Sequence, residues 1–468
     1  MKFLKLILII GFSLAILAGV GSRFVYSEDA ADPFISDELT KSNDVCVHAR
    51  LLFTHSTEVR KKSLQWMKDR DNQDVIPVLI YALRYVGDED GKIADLLTTL
   101  TEEHYGSDWF KWMLWQQAHP EVKPFDGFAE FQSDLFSRID PKFRTFIYAD
   151  IKHEIRLEEI TWGGVVKDGI PALTNPNLID AGKADYLTES EPVFGIAIND
   201  DVRAYPYRIM DWHEMFNDVI GGVPVSLAYC TLCGSAILYD TRVASRDEPF
   251  IFGSSGFLYR SNKLMYDQQT HSLWNQFTGR PVVGELTGSE IQLKVLPVAT
   301  TTWGEWKKQH PNTKVLSLQT GFIRDYTPGK PYSHYFNSPD LMFPALAKDE
   351  RLKPKDQVFG LRMTGVQKAW PLTAFSGGKV INDRVGVIQL VLIGDTSTRA
   401  VRAYRSEGRK FVKGNEQLTK VKADDKEWMV TEEALIGPDG ESLSRLPGHL
   451  AYWFAWSGYL DKAEFFNQ

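Results

Sequence analysis

The stretch Glu191-Pro192-Val193-Phe194-Gly195 returns 165 residues later as Asp356-Gln357-Val358-Phe359-Gly360. In the same gap-free register Tyr205-Pro206 returns as Trp370-Pro371, Asn217-Asp218 as Asn382-Asp383, and Gly221 as Gly386. Pro, Gly and Asn-Asp are the residues at which a chain turns, so a shared register of these positions implies a repeated plan of turns. Between them lie short alternating or apolar runs with strand character: Val193 to Ile198, Val223 to Tyr229, Val358 to Met363 and Val387 to Ile393. Further along, Leu296-Pro297 and Trp303 to Trp306 are matched by Leu446-Pro447 and Trp453 to Trp456, now at an offset of 150. The expected architecture is a β-rich domain over 160–468 built from two related halves, 191–316 and 356–466, around a shared core.

Upstream the texture is helical. Between residues 36 and 155 apolar residues recur at three- and four-residue steps, in Val59 to Met67, Val75 to Tyr85 and Ile93 to Leu100. Asp74-Val75-Ile76-Pro77 and Gly87-Asp88 punctuate that pattern as starts and stops. Arg60, Leu64, Val75, Pro77 and Leu79 through Leu83 resemble the two-helix units of HEAT-type solenoids, and Trp109, Trp112 and Trp115 read as a packing stripe. The fold class is therefore α+β: an N-terminal α-helical HEAT-like region, a platform on which a protein partner would dock, followed by the β-rich domain.

Before the helices, Lys2 and Lys5 precede an uncharged run from Leu6 to Ser22, and Arg23 and Ser27-Glu28-Asp29 follow it. This is the layout of a secretory signal peptide over 1–27. Left uncleaved, its roughly 17 uncharged residues would be a short membrane anchor. The expected location is periplasmic or extracellular, with membrane attachment only through an uncleaved leader. The formal net charge of −8 would become more negative on loss of the leader, and a chain this acidic is unsuited to nucleic acid. The 43% hydrophobic content is enough for sizeable cores and sets disorder aside.

The three cysteines are Cys46, Cys230 and Cys233. The last two stand in Tyr229-Cys230-Thr231-Leu232-Cys233-Gly234-Ser235, where a tight turn places both sulfurs on one side and the glycine permits positive φ. In the 165-residue register they fall on Asp395 and Thr398, while Trp212, His213 and Glu214 fall on Gly377, Gly378 and Lys379. Sulfurs, imidazole and carboxylate vanish together, which nominates Cys230, Cys233, His213 and Glu214 as one metal or redox site. Four chemistries suit such a set: zinc or copper(I) binding, thiol–disulfide exchange, a static structural disulfide in a non-catalytic binding or scaffold protein, and nucleophilic attack by Cys230 activated by His213. A second group, Tyr259, Asp267, Trp274 and Gln276, mixes aromatic and polar side chains as a pocket lining does.

Taken with Asp168-Gly169-Ile170-Pro171-Ala172-Leu173, Tyr205-Pro206, Trp212-His213-Glu214, Asn217-Asp218, the Phe252 to Gly256 turn and Ser272-Leu273-Trp274, the cysteine motif closely resembles domain-of-unknown-function family 3179. The resemblance extends from Gly163 to Trp453-Phe454-Ala455-Trp456. It implies a fold and an exported or membrane-associated bacterial setting, and no reaction. Members usually carry Pro between the cysteines where this chain has Thr231, a change that alters the stiffness of the turn and keeps both sulfurs.

Overall fold

The computed structural model describes residues 39–466 apart from 89–90, 364 and 461–462. The expected leader lies outside the described residues. Among the described residues no helix is long and apolar enough to cross a membrane.

Residues 45–137 form six α-helices: Val45–Leu51, Thr57–Arg70, Ile76–Tyr85, Lys92–Thr101, Trp109–Ala118 and Phe128–Ser137. Side-chain caps fix several starts, with Asp44 accepting from Cys46 N, Ser56 from Val59 N and Asp108 from Lys111 N. Pro77 sits in the first turn of Ile76–Tyr85, where its missing N–H costs no helical bond. All residues of that helix but Arg84 are buried, which makes it the centre of the helical layer. Trp112 and Trp115 are buried with it, and Trp109 is half-buried.

The β-rich part follows as two five-stranded sheets carrying the cysteine region, a third five-stranded sheet, a four-stranded sheet and an eight-stranded sheet. The helices pack directly on the hairpin formed by Phe252–Tyr259 and Asn262–Asp267. Phe257 meets Phe136 and Phe143 at ring-centroid distances of 4.8 and 4.4 Å, and Tyr81 donates to Ile160 O at 2.6 Å. Alternation along these strands divides them between two cores. Phe257, Tyr259, Leu264 and Tyr266 join the helices, whereas Phe252, Leu258 and Met265 join the core that holds Cys230 and Cys233. The cysteine core is completed from far along the chain by Val358, Trp453 and Trp456.

Two hairpins separated by 165 residues are built alike. Pro192–Ile198 pairs with Asp201–Pro206, and Gln357–Met363 with Val366–Pro371. In each, the central glycine sits beneath a tryptophan, Gly195 under Trp306 and Gly360 under Trp456, so closely that an added Cβ would overlap the ring. Each hairpin has a third strand on one side, Ala299–Thr302 or His449–Tyr452, and a parallel one on the other, Lys314–Leu316 or Glu464–Phe465. Asn217 brackets Phe252 through its backbone N–H and C=O, both at 2.9 Å, and Asn382 brackets Phe411 in the same way, both at 2.8 Å. Thr302 caps the helix Trp303–Gln309 by accepting from Glu305 N.

The glycine–tryptophan contact has a direct consequence for stability. We expect Gly360→Val to lower the unfolding free energy by about 3 kcal/mol through overpacking, measured by urea denaturation. Gly458→Ala, in a helix with open space around it, should cause no loss.

Candidate functional site

The strand Val223–Cys230 runs antiparallel to Ser235–Asp240, with Cys230 paired to Ser235. Thr231–Cys233 form a single 3-10 turn between them, and Gly234 closes it at φ +57°. A side chain at Gly234 would both strain that conformation and press on the ring of Tyr452, 3.1 Å from where its Cβ would lie. This turn brings the two sulfurs to 2.8 Å, with both residues buried. The thiols are free, since a disulfide bond is about 2.05 Å long. The static disulfide expected as one alternative is therefore not what the structure contains. At this separation the sulfurs compete for a proton.

They do so unequally. Burial opposes charge on Cys230, yet the Cys233 thiol and the backbone N–H groups of Lys263 and Cys233 outweigh it, and Cys230 lies below the ordinary thiol range. For Cys233, burial and then the adjacent Cys230 push the thiol well above that range. Asn262 donates to Cys233 Sγ at 3.1 Å, and the Cys233 thiol also lies 3.5 Å from Ser261 O. Of the two, Cys230 is the sulfur whose surroundings favour charge, and Cys233 the one whose surroundings favour the proton.

The helix Tyr207–His213 ends just above this turn, and Glu214 leaves it at φ +55°. That left-handed step sends successive side chains in different directions. Glu214 enters the cysteine region: its Oε1 accepts from Thr231 Oγ1 at 3.0 Å and Tyr332 OH at 2.7 Å, and its Oε2 lies 2.6 Å from Lys263 Nζ. His213 does not join it. Its Nδ1 donates to Pro171 O at 2.8 Å, which leaves Nε2 to accept from Tyr326 OH at 2.7 Å. Both nitrogens are engaged, and burial lowers the ring to about 4, so it is neutral. The expected grouping of His213 with the sulfurs is corrected accordingly, and so is activation of Cys230 by that imidazole. Among the described residues no group of three or more His, Cys, Asp or Glu side chains is arranged to hold a metal ion.

A cavity of about 40 Å³ adjoins Cys230, with Glu214, Lys263, Thr231, Tyr332 and Ser254 in its wall. Gly163, Val165 and Ile170, all half-exposed, also line it. Of the second group of candidates, none lines this cavity. Asp267 accepts from Trp274 Nε1 at 2.8 Å and from Thr270, a local brace. Tyr259 packs against Tyr459. Gln276 alone of the four reaches the sulfurs, at one remove: its Oε1 accepts from the Asn262 amide that donates to Cys233. Cys46 is buried among the helices, its Sγ 4.0 Å from Gly127 O.

Lys263 was not singled out by the sequence, where a lysine at the start of a strand reads as solvent-facing. It follows a two-residue hairpin turn in which Arg260 and Ser261 both adopt positive φ, +48° and +65°, as such turns require. Ser261 Oγ, Asn262 Oδ1 and Lys263 Nζ are buried and meet no protein hydrogen-bond partner. For Lys263 the Glu214 carboxylate is close enough for an ion pair but poorly aligned for a hydrogen bond.

The neutral state of His213 has a testable sign. A histidine held at about 4 in the fold and about 6.5 when unfolded contributes stability above pH 6.5 that is lost as pH falls toward 4. His213→Gln should therefore be less stable than wild type above pH 6.5, with a difference that shrinks by roughly 3 kcal/mol on going to pH 4, read from denaturation at a series of pH values.

No curated protein and no solved structure matches the chain. Residues 167–463, well over half of it and including both cysteines, Glu214 and Lys263, match the family described as Protein of unknown function (DUF3179). The chain belongs to that family.

Proposed function

We propose that Cys230 and Cys233 are a reversible dithiol–disulfide redox centre. The observation that carries this reading is the unbonded pair of sulfurs 2.8 Å apart, one poised as thiolate and the other as thiol. In the oxidative half-reaction the Cys230 thiolate attacks an electrophilic acceptor and bonds to it. Cys233, losing its proton, then displaces the acceptor from Cys230 and closes the S–S bond. Two electrons pass to the acceptor, and an external thiol reductant returns the pair to its starting state. An exported location, oxidising and lacking the cytosolic thiol pool, is the setting in which such a pair would cycle.

We further infer that the chain arose by doubling and that only its first half kept this chemistry. The like-built hairpins, the matched asparagine brackets and the two glycine–tryptophan contacts support that history. At the positions corresponding to the cysteines, Asp395 accepts from Ser397 N and Ser397 Oγ, both at 2.8 Å, an ordinary turn.

Counting thiols tests the redox reading. Under mild reductant the denatured protein should present the thiols of Cys46, Cys230 and Cys233; after mild oxidation it should present only that of Cys46, and reductant should restore the rest. Cys230→Ser should show no such loss on oxidation. Stoichiometric zinc or copper in anaerobically purified protein, with thiols that resist oxidation until the metal is chelated, would replace the redox reading by the metal one.

A further inference from the structure

The access to Cys230 restricts what can oxidise it. Cys230 is 2% exposed and Cys233 fully buried, and the adjoining cavity of about 40 Å³ has room for roughly one to three water-sized groups. Exchange with a disulfide would require a second sulfur and its attached carbons to line up behind Cys230, which this space hinders and so makes slow. Charge in the wall is fixed as well. Glu214 is held by Thr231 and Tyr332 through one oxygen and lies against Lys263 through the other. The side chain of Lys263, a residue 5% exposed, is therefore pinned in the wall of the cavity that Cys230 also lines, with N–H bonds that meet no aligned protein acceptor.

We propose that the acceptor is a small hydroperoxide, with hydrogen peroxide as the type, admitted to the cavity beside Cys230 and oriented there by the Lys263 ammonium. This rests on the dithiol reading above and names its substrate class. The Cys230 thiolate attacks the near oxygen, the O–O bond breaks, and Cys230 becomes a sulfenic acid. The departing hydroxide takes a proton from Lys263 and leaves as water. Cys233 then attacks the Cys230 sulfur, an S–S bond forms as the S–O bond breaks, and the second oxygen leaves as water with the Cys233 proton. Solvent returns the proton to Lys263. The balance is one thiolate, one thiol, one hydrogen peroxide and one proton from solvent to one disulfide and two waters.

The test uses the full reduced chain and three oxidants at equal concentration: hydrogen peroxide, cumene hydroperoxide and glutathione disulfide. Closure of the pair is followed by acid-quenched alkylation and mass spectrometry. Hydrogen peroxide should act at least about tenfold faster than either bulkier reagent, as expected when access rather than thiolate character decides. Cys233→Ser should accumulate a Cys230 sulfenic acid that dimedone captures. The double variant Lys263→Met, Glu214→Gln, which leaves no lone buried carboxylate, should slow hydrogen peroxide about tenfold while retaining a cooperative melt. If glutathione disulfide or cumene hydroperoxide closes the pair as fast as hydrogen peroxide, the small-substrate proposal falls and the dithiol reading stands. If none of the three closes it, both fall.

Discussion

Two sulfur atoms held 2.8 Å apart inside a buried turn are within hydrogen-bond reach of each other, and the groups around them favour charge on one and the proton on the other. The turn that forces the approach is short. Cys230 ends one strand, Ser235 begins the next, and Gly234 supplies the left-handed step that lets the chain reverse within this span. Backbone N–H groups of Lys263 and Cys233 then favour charge on Cys230, while burial and the neighbouring sulfur hold the proton on Cys233. A difference between two chemically identical side chains thus follows from which hydrogen-bond donors each one meets.

The scaffold keeps the pair away from solvent on several sides. The hairpin Phe252–Asp267 presents one face to the helices and the other to the cysteines, so helical packing and site geometry share a wall. The short helix Ser333–Asn337 and the residue before it lie across the turn, with Tyr332 reaching Glu214 and Tyr335 donating to Leu232 O at 2.6 Å. Trp453 and Trp456, from near the C-terminus, complete the same core. A turn whose two sulfurs stand close together in sequence is therefore enclosed by groups drawn from Trp109 to Phe465.

Much of this was legible in the chain itself. The α+β division followed from helical periodicity giving way to short runs between Pro, Gly and Asn-Asp turns, and both glycine–tryptophan contacts lie at positions the repeated register had already paired. The cysteine turn and the entry of Glu214 were also readable. His213 was not, because adjacency in sequence says nothing about direction once a helix ends: the positive φ of Glu214 swings it toward Lys263 and leaves His213 to Pro171 and Tyr326. Lys263 is hidden in the sequence for a related reason. A lysine is ordinarily a surface residue, and its burial depends on a carboxylate 49 positions away in sequence meeting it across the cavity.

The reduction potential of the pair tests the central claim most directly. Equilibrating the full chain in glutathione redox buffers until the same end point is reached from the reduced and the oxidised side, and quantifying the peptide that carries both cysteines, should reveal one reversible two-electron transition, absent from Cys230→Ser, with Cys46 reduced throughout. Thiols that stay reduced across the whole range of buffers, with or without a bound metal to protect them, would contradict the account.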